Sequence, residues 1–84
     1  MFKYINVKVP MATANMETDD DIRELLYIFG IDADEWLEVS TGYSANGPWY
    51  EVDVWDLNGN ELLSYDFMIL GDTARIFRYW KAEA

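Results

Sequence analysis

The sequence predicts a small α+β domain: a four-stranded antiparallel sheet with two helices on one face, in the order β-α-β-β-β-α. Three observations predict it. Residues Trp49 to Ile69, WYEVDVWDLNGNELLSYDFMI, alternate around an Asn-Gly pair, the strongest short-range hairpin signal. From Thr18 onward, apolar residues recur at helical spacing. The chain has 84 residues, 51% apolar and 17% aromatic, which supplies one packed core and no second one. Residues 1–84 are therefore read as a single domain.

The elements follow in chain order. Phe2 to Val9 alternates, with Ile5, Val7 and Val9 on one face; it reads as a strand that Pro10 ends. Residues 10–17, PMATANME, have no period and read as a loop. Thr18 to Phe29 reads as a helix. Thr18 is the N-cap, Asp21 stands at the capping-box position, and Asp19 to Asp21 complement the positive end of the helix dipole. Ile22, Leu25, Leu26 and Phe29 form its apolar stripe, and Gly30 with Ile31 suits a Schellman ending.

Asp32 to Glu35 reads as a turn and Trp36 to Tyr43 as a second strand, followed by a loop at Ser44 to Pro48. In the hairpin, a two-residue Asn58-Gly59 turn sets Leu57 against Asn60. Val54 then faces Leu63, Val52 faces Tyr65, and Tyr50 faces Phe67. Asp72 reads as the cap of a last helix reaching about Lys81, with Thr73, Ile76, Phe77 and Trp80 inward and Arg75 and Arg78 outward. The place of the first strand in the sheet is left open.

The composition excludes several chemistries. There is no cysteine, hence no disulfide, thiolate metal site or cysteine nucleophile, and there is no histidine. No apolar run approaches the ~20 residues of a membrane span. The amino-terminal alternation is unlike a signal peptide. The expectation is a soluble, cytoplasmic protein.

The net charge is −10. From Glu17 to Asp72 there are fifteen acidic residues and one base, Arg23; the other bases are Lys3, Lys8, Arg75, Arg78 and Lys81. Such a surface repels nucleic acid and anionic lipid and favours a basic protein partner. The bland alternative is that the acidity serves solubility alone.

Candidate active centres fall away one by one. Asp56 to Glu61 resembles part of a calcium loop. With Gly59 at the sixth position, however, Val54 and Tyr65 occupy the first and twelfth, where an EF-hand needs carboxylates. Glu51, Asp53 and Asp66 share one sheet face, but paired carboxylates catalyse only where a cleft holds a substrate. No phosphate-binding loop or nucleophile motif is present. The expectation is a protein that is not an enzyme, with no cofactor, metal or catalytic residue assigned.

What remains is the sheet face opposite the predicted helices. It carries Glu51, Asp53, Trp55 and Asp66 as candidate partner-binding residues, with Trp36, Glu38 and Trp49 at its edges. Carboxylates interleaved with aromatics suit an Arg-rich partner. Glu51 should face Asp66 directly, a like-charge pair that costs stability and that a binding surface would explain. The competing possibilities are a helix or loop covering the tryptophans, and the acidic helix start at Asp19, Asp20, Asp21 and Glu24.

In size, acidity and lack of catalytic apparatus the chain resembles the small inhibitors that phages direct against bacterial defence nucleases, the anti-CRISPR and other DNA-mimic proteins. The resemblance is one of composition and implies binding to a Cas protein or another nuclease, with its nucleic-acid site occluded by carboxylates spaced like phosphates. Immunity proteins against nuclease toxins share the profile. A small structural or adaptor subunit of a larger assembly is the alternative from another class.

Overall fold

The computed structural model describes residues 2–31 and 37–83. Among them, five strands form one antiparallel sheet: β1 (Lys3–Pro10), β2 (Leu37–Tyr43), β3 (Tyr50–Asp56), β4 (Glu61–Leu70) and β5 (Thr73–Lys81). Their spatial order is β1-β5-β4-β3-β2. Two helices, α1 (Met11–Asn15) and α2 (Asp19–Ile28), connect β1 to β2. The expected four strands in the order β-α-β-β-β-α are thus corrected at two places.

The larger correction is the helix expected from Asp72 to about Lys81: Thr73–Lys81 is a strand. Thr, Ile, Phe, Tyr and Trp, which dominate the stretch, are strand formers, and the helical stripe ignored that preference. Gly71 and Asp72 make a two-residue turn, with Gly71 at φ 67, that pairs Leu70 with Thr73. A glycine first in such a turn is the mirror-image type that suits hairpins, so Asp72 caps nothing. β5 then enters between β4 and β1 and is hydrogen-bonded on both sides, which no isolated helix offers. Its Ala74 and Ile76 are fully buried. The smaller correction is the loop at residues 10–17, which contains α1. That helix ends at Met16, whose left-handed backbone (φ 54, ψ 51) is tolerated because its side chain is buried.

α2 forms as its sequence dictates. Thr18 accepts from the Asp21 amide while the Asp21 carboxylate accepts from the Thr18 amide, completing the capping box. At the other end the Ile31 amide donates to the Leu26 carbonyl and the Gly30 amide to that of Tyr27, the Schellman pattern. Lys81 reaches across from β5 to donate to the Phe29 carbonyl at 2.9 Å, a cation at the negative end of the helix dipole.

The expected hairpin ladder is present: Tyr50 faces Phe67, Glu51 faces Asp66, Val52 faces Tyr65 and Val54 faces Leu63. Its turn differs. The Gly59 amide bonds the Asp56 carbonyl, and the Asp56 amide bonds the Asn60 carbonyl. This is a three-residue loop ending in a left-handed Gly59 (φ 81). The Asp56 carboxylate accepts from the Asn60 and Asn58 amides and the Asn60 side chain. These bonds, that to the Asn60 amide above all, lower its pKa below the ordinary value. The extra loop residue is absorbed by an irregularity between Val54 and Trp55, which leaves Leu62 without an opposite residue and restores the register.

Both helices cover the face formed by Val9, Val52, Val54, Leu63, Tyr65, Phe67, Ala74 and Ile76. The Tyr65 hydroxyl donates to the Ala14 carbonyl of α1, and burial pushes its pKa up. An aromatic row crosses this face: Tyr43 edge-on to Tyr50, Tyr50 stacked on Phe67, and Tyr65 stacked on Phe29. It begins at the solvent-exposed border of the sheet, where Tyr43 is 65% exposed.

Candidate functional site

The face away from the helices carries the predicted residues, and two different environments divide it. In the β4–β5–β1 half the buried carboxylate is paired within the chain. Asp66, 1% exposed, faces Arg78 across the β4–β5 ladder and receives its Nη2 at 2.5 Å and its Nε at 2.6 Å. An irregularity between Asp66 and Phe67 leaves Phe77 without an opposite residue. Phe77 meets the Trp49 indole edge-on at 5.7 Å, on the same side as Arg78. The guanidinium lies 4.6 Å from the Phe2 ring centre and 5.9 Å from that of Trp49, the distances of cation–π contact. Burial raises the Asp66 pKa; the Arg78 hydrogen bond and charge oppose that rise, and the charges of Glu51 and Asp53 add to it.

This overturns one sequence expectation. Glu51 does oppose Asp66, but their repulsion is not an uncompensated cost, because Arg78 stands on the other side of Asp66. The helical reading had sent Arg78 outward, and only the strand brings it there. Asp66 is consequently withdrawn from any surface a partner touches. Trp49 is half-buried as well, its ring packed against Gly47 so closely that a Cβ there would stand 1.9 Å from it. The indole N–H is buried without an acceptor among the described residues.

The β2–β3 half is acidic and open. Glu38, Ser40 and Gly42 of β2 face Trp55, Asp53 and Glu51 of β3. Glu38, Ser40 and Gly42 are exposed, while Glu51, Asp53 and Trp55 are half-buried. Asp53 accepts from the Ser64 hydroxyl at 2.7 Å and Glu51 from that of Ser44 at 2.9 Å. Each carboxylate keeps its other oxygen unengaged by side chains among the described residues. No base lies on either strand. The structure thus brings Glu38, Glu51, Asp53 and Trp55 together and separates Asp66 and Trp49 from them. Trp36 lies outside the described residues.

The bases segregate in the opposite direction. β1 and β5, the first and last strands of the chain, lie side by side and carry Lys3, Lys8, Arg75, Arg78 and Lys81. Arg75 donates to the Asn6 side chain at 2.9 Å. The competing acidic region, the start of α2, has its own internal use: Thr13 lies within 3.2 Å of both the Asp21 and Glu24 carboxylates. Among the described residues no cluster of side chains forms a metal site, and no helix is long and apolar enough to cross a membrane.

Sequence reasoning missed the main chain of β2. The run Ser40 to Tyr43 is polar and contains a glycine, but that β2 has a single partner follows from the strand order and not from the sequence. Comparison with protein-family models, curated proteins and solved structures finds no match.

Proposed function

We propose that the chain is an acidic binding protein that docks on a basic protein and occludes its nucleic-acid site, in the manner of anti-CRISPR and DNA-mimic inhibitors. It works by binding, without turnover. The observation that supports this reading is how little of its charge is neutralised internally. One ion pair forms among the described residues, Arg78 with Asp66, and its carboxylate is buried. The other carboxylates among the described residues meet no base, and the β2–β3 flank carries none. Like charges held at this density draw a cationic partner and raise its association rate. On this reading the contact residues are Glu38, Glu51, Asp53 and Trp55.

The test is capture. Immobilised protein is exposed to bacterial lysate cleared of nucleic acid, and retained proteins are eluted with rising salt. The expected outcome is a basic nucleic-acid-binding protein that elutes as charges are screened over a Debye length of about 10 Å at 0.1 M. Its nucleic-acid binding should be lost when the chain is added back. A captured toxin nuclease points to the immunity role. Salt-indifferent capture of assembly components overturns the reading in favour of an adaptor subunit.

A further inference from the structure

We infer that the free border of β2 is a docking edge for an extended segment whose residues alternate between cationic and apolar. This inference rests on the acidic-binding reading and specifies how the partner is held.

The main chain of β2 is half used. The Ser44 amide donates to the Trp49 carbonyl. In an antiparallel ladder the residues bonded to the neighbouring strand alternate, so Glu38, Ser40 and Gly42 also turn their amides and carbonyls toward β3. Leu37, Val39, Thr41 and Tyr43 turn theirs the other way. The Asp56 amide, which donates toward β4, confirms the phase from the far side of β3. Among the described residues β2 pairs with β3 alone, and no side chain bonds those four amides or carbonyls. Over Leu37 to Tyr43 the β2–β3 register is unbroken, so the edge is regular enough to template another strand.

The side chains specify what such a strand carries. On the helix side the edge presents Leu37, Val39, Thr41 and Tyr43, with the aromatic row behind Tyr43. Apolar residues opposite these extend the existing face. On the other side it presents Glu38, Ser40 and Gly42, with Asp53 and Glu51 one strand further in. Gly42 has nothing within 4 Å of a Cβ position. An arginine opposite it can therefore lie across the gap toward Glu51, over a strand spacing of about 4.8 Å. A second copy of this chain is the wrong occupant, because it would bring Glu38 and a further −10 charge against the same border. Strand addition of this kind takes affinity from the main chain and specificity from alternate side chains.

The probe is a short end-blocked peptide alternating arginine with valine. Three comparison peptides accompany it: the same composition with arginines and valines in separate blocks, an alternating serine–valine version, and an alternating glutamate–valine version. Binding is followed by titration and by amide signals of the full chain in solution. The expected result is that the arginine–valine peptide binds best, weakens with salt, and protects the Val39, Thr41 and Tyr43 amides from exchange. Thr41→Pro removes one outward donor from a position where an edge strand accepts proline. It should weaken binding roughly tenfold, or about 1.4 kcal/mol. Should Thr41→Pro fail to fold, Gly42→Lys places a side chain and a like charge in the arginine's path and should produce a similar loss.

Equal binding of the blocked peptide, with the β2 amides unprotected, overturns the edge while leaving the acidic-binding reading intact. Equal binding of the serine peptide with those amides protected overturns the cationic specificity. Failure of every arginine peptide to bind overturns both. Concentration-dependent protection of these amides in the free chain overturns the inference in favour of a dimer.

Discussion

At one border of the sheet, β1 carries Lys3, Lys8 and Pro10 and breaks its pairing with β5 between Tyr4 and Val7. At the other, β2 runs in unbroken register with β3 and bears a single charge, Glu38. Lysines, a proline without an N–H, and an irregular ladder are the means by which proteins keep a sheet edge from recruiting another strand. β1 has all three and β2 has none. The faces behind the two borders differ in the same sense. Next to β1 the bases of β5 meet partners, Arg78 with Asp66 and Arg75 with Asn6. Next to β2 the carboxylates of β3 receive hydroxyls but no base. One flank is closed by its own chemistry, and the other is left able to accept an added strand and positive charge.

The sharpest way to break this contrast is to open the closed flank. Arg78→Met strands a buried carboxylate beside Glu51 and should cost about 3 kcal/mol, lowering Tm by more than about 10 °C. Adding Asp66→Leu should recover most of that loss, since two apolar residues replace a buried pair at little net cost. The pH dependence has a definite sign. The folded Asp66 already holds its proton above the ordinary value of 3.8, so its contribution to stability falls as pH rises through that interval. Without Arg78 the interval extends upward. The Tm deficit of Arg78→Met relative to the parent should therefore shrink as pH is lowered from 7 toward ~4. A deficit that stays constant with pH would show that Arg78 acts through packing alone.

Gly59→Val tests the turn that sets the register of the acidic flank. A β-branched residue at φ 81 should destabilise by about 1–3 kcal/mol, read by thermal melting. On the acidic flank itself the expected effect is small and of opposite sign. Glu51→Gln keeps an acceptor for Ser44 and removes the repulsion on Asp66, so it should leave stability equal or raise it by less than about 1 kcal/mol, read as an equal or slightly higher Tm. The smallest effect on stability, within about 0.5 kcal/mol, is expected from replacing Lys3 and Lys8 by Val. Its readout is association: if the lysines guard β1, sedimentation should show a concentration-dependent oligomer that the parent does not form.

The region that sequence reading resolved best is α2, where both ends are decided locally. The Thr18–Asp21 capping box and the Gly30–Ile31 ending involve residues within a few positions of one another. The β3–β4 register was legible for a related reason. A one-residue slip would turn Val52, Val54 and Leu63 out of the core, so the ladder held even though the turn was longer and Leu62 had to absorb the difference. The candidate site was legible in part: Glu38, Glu51, Asp53 and Trp55 share the face that alternation assigned to them.

Asp72 to Lys81 was decided elsewhere. Its apolar residues satisfy a helical stripe as well as an alternating one, and a chain read locally does not reveal that β4 and β1 each have an unpaired side. The pairing energy of two neighbouring strands, 69 positions apart at Asn6 and Arg75, selects the strand. From that one choice follow the fifth strand, the Arg78–Asp66 pair, the burial of Asp66, and the gathering of the bases from both ends of the chain onto one flank. The sequence alone established that this protein is acidic and where along the chain its charges lie. Tertiary pairing decided which of those charges are neutralised, because an ion pair across a sheet depends on strand order, which no local pattern encodes.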